Sequence, residues 1–144
     1  MTIKWSHVAT LVGDIHLTNK QPVSRSEPDW YGRMRCYLNQ LRRVANGKPI
    51  LCTGDVFDRW NSPPELIEFA IKHLPPMYSV PGQHDLPNHD YDQQNRSAYG
   101  CLVAAQVLTP LKPGGVVVLG GCPELHVCGF PWGFPMQPHI NPNP

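Results

Sequence analysis

Three short apolar runs set the frame for this chain: "HVATLVG" (His7 to Gly13), "PILCTG" (Pro49 to Gly54) and "MYSV" (Met77 to Val80), which leads into Pro81-Gly82. Each is the length of a buried strand, and each ends at or just before a glycine, where the backbone can turn sharply. The segments between them read as helices. Trp30, Met34, Leu38, Leu41 and Ala45 recur at intervals of three or four, the spacing of one helical face. Ser26 with Asp29 has the look of a capping box, Pro28 suits a first turn, and Gly47 stops the helix. "SPPE" (Ser62 to Glu65) opens a second helix that runs to about Leu74, again as a capping box. Ser97 caps a third, expected to continue to about Val107, and "GVVVLG" and "ELHVCGF" read as two neighbouring strands. Strand and helix alternation predicts an α/β fold, a mixed β-sheet layered with helices.

Sheets of this kind bind ligands beyond the carboxyl ends of their strands. After the first run stand Asp14 and His16, after the second Asp55, Asp58 and Arg59, and after the third Gln83, His84 and Asp85. Carboxylate, imidazole and amide oxygen together suit Mn²⁺, Fe²⁺ or Zn²⁺. Phosphoester cleavage uses two such ions about 4 Å apart, bridged by one carboxylate, and a water made acidic by them attacks phosphorus as hydroxide. Asp55, from the middle run, is the expected bridge. One Gly-Asp pair after a strand is ordinary turn chemistry, and a lone histidine is usually packed or solvated. Three such sets in order carry the reading.

The motifs Asp14-Ile15-His16, Gly54-Asp55-Val56-Phe57-Asp58 and Gly82-Gln83-His84-Asp85 resemble the D-x-H, G-D-x-x-D and G-N-H-D/E motifs of calcineurin-like metallophosphoesterases. The resemblance implies their αββα sandwich and two divalent metal ions, Mn²⁺ first. It also implies Asp14 and His16 as ligands of one metal, Asp55 as the bridge, and Gln83 in place of an Asn ligand. His84 would act on the phosphate and leaving group, with Asp85 orienting its imidazole. Gln83 keeps the carbonyl oxygen of Asn and adds one methylene, so ligation is expected to survive. Arg59 and His89 are the expected substrate contacts.

Trp60 after Asp58-Arg59, and Asp85 closing the third motif, set the chain apart from protein phosphatases, which read G-D-x-V-D-R-G and G-N-H-E. It is similar to the nuclease subunit of SbcCD-type DNA repair exonucleases, in forms found in phage and prophage. That implies DNA as substrate, a homodimer and an ATPase partner subunit. Alternatives within the superfamily are a phosphatase and a nucleotide phosphodiesterase. The family's late G-x-H-x-H is missing after Asp85. His126 reads as a core or strand-surface residue and His139 as a loop residue. Residues 1–144 are therefore expected to be the N-terminal portion of such a domain, with a proline-rich loop or tail over 130–144. A truncated, non-catalytic fragment is the other reading.

The formal net charge of +1 offers no global field for nucleic acid. Arg33, Arg35, Arg42 and Arg43 read as a solvated helix face, and the loop from Leu17 to Pro28 is better placed for substrate. Trp60 could stack on a base but reads first as core cover. Nothing is long and apolar enough for a membrane span. Cys36, Cys52 and Cys101 have apolar surroundings, as buried free thiols do, and five unframed cysteines suggest the reducing cytoplasm.

Overall fold

The computed structural model describes residues 6–119 and 125–135. Its centre is a parallel sheet of β1 (Thr10–Val12), β2 (Ile50–Cys52), β3 (Met77–Ser79) and β4 (Leu108–Pro110), in that spatial order. Thr10 pairs with Ile50, Leu51 with Tyr78, and Met77 with Leu108. A separate antiparallel pair, β5 (Val116–Val118) and β6 (His126–Cys128), follows. The four-stranded sheet is thus wholly parallel, and the two later strands pair with each other as their sequences suggest.

Three helices connect the parallel strands: α1 (Trp30–Ala45), α2 (Pro64–His73) and α3 (Ala98–Ala104). Consecutive parallel strands joined by right-handed crossovers place all three on one face. The core bears this out. Met34 and Leu38 from α1, Leu66 and Phe69 from α2, and Leu102 from α3 share one buried cluster with Ile50, Cys52, Met77 and Leu108. The alternate residues Leu11, Leu51, Tyr78 and Thr109 lie in register across the other face, where Leu11 is 71% exposed.

Local chemistry sets the helix ends, with some departures from expectation. Asp29, not Ser26, caps α1 by accepting the Gly32 N–H at 2.8 Å, and Asn46 in the left-handed region ends it. Ser62 caps nothing: its hydroxyl donates to the Arg59 carbonyl, and α2 begins at Pro64, whose fixed φ suits the first helical position. Ser97 does cap α3, accepting the Gly100 N–H. That helix stops at Ala104 because Gln106, at φ 59°, turns the chain into β4. Cys52 is buried as expected, but Cys36 and Cys101 are exposed, since α1 buries the stripe of Met34, Leu38 and Ala45 and α3 buries Ala98, Tyr99 and Leu102 instead. No helix among the described residues is long and apolar enough to cross a membrane.

Candidate metal centre

All three donor sets emerge from the carboxyl ends of β1, β2 and β3, and backbone bonds continue past the strands to lock them together. The His16 N–H donates to the Asp55 carbonyl at 2.9 Å, Leu17 N–H to Val56 at 2.8 Å, and Asp58 N–H to Leu17 at 3.0 Å. The loops after β1 and β2 therefore lie side by side. Between β2 and β3 the approach is closer still. Gly54 has φ +110°, and a side chain there would collide with the Gly82 backbone. A Cβ on Gly82 would fall 2.5 Å from the Asp55 nitrogen.

The pairing of the loops after β1 and β2 brings Asp14, His16 and Asp55 together, each offering one ligand atom within 4.8 Å of the others. Donors around one transition-metal ion bond at about 2.0–2.2 Å and so lie up to about 4.4 Å apart. The group lies close to that spread, and its oxygen and nitrogen donors suit a divalent ion. All three residues sit in the left-handed backbone region, at φ 51°, 47° and 51°. For non-glycine residues such geometry costs on the order of 1–3 kcal/mol each and gathers at functional sites.

Asp55 is aimed by a neighbour: the His84 N–H donates to its Oδ1 at 2.9 Å. The His84 Nδ1 lies 3.0 Å from the Asp58 carbonyl. A carbonyl only accepts, so Nδ1 carries the proton and Nε2 is left free. The His84 ring meets His16 edge-on with centroids 5.0 Å apart, and the His16 Nδ1 is 3.7 Å from Asp58 Oδ1. Asp58 thus touches both imidazoles. Asp58 stands in the second donor set and closes the G-D-x-x-D pattern, but the motifs alone assign it no specific role.

Asp85 does not orient His84, contrary to expectation. Its fully buried carboxylate accepts N–H bonds from Gly82 at 3.0 Å, Phe57 at 3.1 Å and Val56 at 3.2 Å. It staples the loops after β2 and β3 together beneath the site. Burial pushes its pKa up to about 6, against the downward pull of these three donors, with a smaller upward push from Asp55.

The remaining expected residues surround this centre. Gln83 shares with Asp55 a cleft whose other wall is Phe130, Trp132 and Phe134. His89 is exposed at φ 58°, with its Nδ1 3.0 Å from the Gln83 carbonyl. Arg59 projects into solvent, its Nε 3.8 Å from Asp58 Oδ2. It lines a second cavity of about 560 Å³ with Asn61 and with Lys20 and other residues of the Leu17–Pro28 loop. Trp30 Nε1 donates to the Thr18 carbonyl and ties that loop to α1. Arg25 and Arg33 flank Glu27, at 3.7 and 3.5 Å. Trp60 is 39% exposed. His126 is exposed on β6, and His139 lies outside the described residues.

A search of the curated proteins found no match. A family model described as calcineurin-like phosphoesterase matches residues 8–127. That span holds all three strand-end motifs and the Asp14, His16 and Asp55 group, and the chain belongs to the calcineurin-like phosphoesterase family.

Proposed function

We propose that this metal-dependent phosphoesterase cleaves phosphodiester bonds, with DNA as substrate and Mn²⁺ as the working ion. The observation that carries the reading is the meeting of Asp14, His16 and Asp55 at the sheet rim, with the His84 ring edge-on to His16. Asp14 and His16 would hold one ion, Asp55 would bridge to a second, and the Gln83 amide oxygen would serve that second ion. A bound divalent pair supplies Lewis acidity toward phosphoryl oxygens and a water of lowered pKa. The chain's own groups supply orientation. The His84 N–H fixes the rotamer of Asp55, and the Asp58 carbonyl fixes the His84 tautomer. Nε2 is then placed to meet a phosphoryl or leaving-group oxygen and to hold a proton there.

Diester chemistry is supported by Trp60 and Asp85, which depart from the protein-phosphatase pattern. DNA is supported by Lys20 and Arg59 lining one cavity beside Asp58, suited to the phosphates of a strand. A homodimer working beside an ATPase subunit is the assembly that accompanies this reading. Duplex DNA, bis-(p-nitrophenyl) phosphate and p-nitrophenyl phosphate, each assayed with Mn²⁺, test it. Cleavage of DNA and the diester is expected. Turnover of the monoester alone would replace the nuclease with a phosphatase. Mass spectrometry should count two metals per chain.

A further inference from the structure

The segment "GFPWGFP" (Gly129 to Pro135) is not absorbed by the metal chemistry, yet it stands directly beside it. With Asp55 and Gln83 it encloses a cleft of about 770 Å³. Phe130, Trp132 and Phe134 line that cleft at 36%, 50% and 41% exposure. Large rings left this open within five residues are unusual when a core is available to them. Single exposed aromatics are common on any surface, but here three converge on one cleft.

The loop is built to hold them there. Pro131 is fully buried, so the chain is anchored there while its aromatics stay outside. The Trp132 N–H donates to the Pro81 carbonyl at 3.1 Å, next to Gly82 of the third motif. The Phe134 N–H closes a turn on the Pro131 carbonyl at 3.1 Å, and Gly133, at φ +85°, allows that turn. The Phe134 ring packs edge-on against Tyr91, with centroids 4.8 Å apart. Of the described residues lining the cleft, only Asp55 is charged, whereas Lys20 and Arg59 line the separate cavity beside Asp58. The two spaces thus divide by chemistry. The cationic one suits phosphates, and the aromatic one suits a flat, weakly polar group attached to the phosphate at the metal centre.

We propose that Phe130, Trp132 and Phe134 form a stacking wall for the nucleobase of a nucleotide whose phosphate lies over Asp14, His16 and Asp55. The wall makes the substrate class a base-bearing phosphoester and tolerates any base, since every base presents a π-face. This inference rests on the metal-centre reading above.

Calorimetric titration of the full chain, loaded with Mn²⁺, tests it with thymidine 5′-monophosphate and 2-deoxyribose 5-phosphate, which differ only in the base. The nucleotide is expected to bind about 5- to 150-fold more tightly, the range that base stacking on an aromatic provides. Trp132→Leu should remove most of that advantage without weakening the sugar phosphate, and Trp132→Phe should keep it. Equal binding of the two ligands by the unmodified chain would overturn the stacking wall alone. So would an undiminished base advantage in Trp132→Leu. If neither ligand binds the Mn²⁺-loaded chain, the wall and the metal-centre reading fall together.

Discussion

Replacing Gly82 by alanine puts a methyl group where the loops after β2 and β3 cross. The backbone of Gly82, at φ −87° and ψ −177°, is one that alanine adopts freely, so any penalty is steric. The new Cβ would sit 2.5 Å from the Asp55 nitrogen and closer still to its Oδ1. An ordinary contact is near 3.5 Å, so the loops must part by about 1 Å. Overpacking of this kind costs about 1–3 kcal/mol. The displacement falls on Asp55, and metal sites tolerate about 0.2 Å, so Mn²⁺ affinity should drop by about 10- to 100-fold. Gly47→Ala is the control. Gly47 has φ +75° with no atom within 4 Å of its would-be Cβ, so about 1 kcal/mol of backbone strain is expected and no effect on metal. Urea unfolding followed by circular dichroism reads stability, and calorimetry reads Mn²⁺. If Gly82→Ala loses no more stability than Gly47→Ala and binds Mn²⁺ like the unmodified chain, the close crossing does not position Asp55.

Asp14→Asn and Asp55→Asn should each abolish the rise in melting temperature with Mn²⁺, which at a hundred times Kd corresponds to about 2.7 kcal/mol; a chelator should abolish it in the unmodified chain. Asp85 gives a pH signature in the metal-free chain. Its folded pKa of about 6 lies above the unfolded value of 3.8, so its contribution is fully present below about pH 4 and lost as pH rises through 6. About 3 kcal/mol should disappear over that interval, and Asp85→Asn should flatten the slope; an unchanged slope would assign it to another group. Tyr99 is fully buried, and its hydroxyl donates to the Ser79 carbonyl at 3.2 Å. Because Leu111 N–H also serves that carbonyl, Tyr99→Phe should cost only about 0.5–1.5 kcal/mol in chemical unfolding.

The strand ends were legible because each couples an apolar run to a glycine and a set of donors. Asp14, His16 and Asp55 met as the motif order suggested. What stayed hidden depends on partners distant in the chain. Leu108–Pro110 is too short, and too plainly ended by proline, to announce a strand; its register comes from Met77 and Tyr78. Nothing local marks Asp85 as a staple, because the Val56 and Phe57 N–H groups it binds lie 29 and 28 residues earlier. Beside His84 it reads naturally as that ring's partner, a role the Asp58 carbonyl fills instead. The late aromatics were lost among seventeen prolines, since composition reports a loop without saying what the loop faces.

Because β1 to β4 all run the same way, the molecule has two unlike ends. One carries the donors; the other carries turns such as Asn46-Gly47, which enters β2 from the opposite side. A fluorophore or affinity handle grafted at Gly47 would therefore report on the protein while standing a full strand length away from its chemistry.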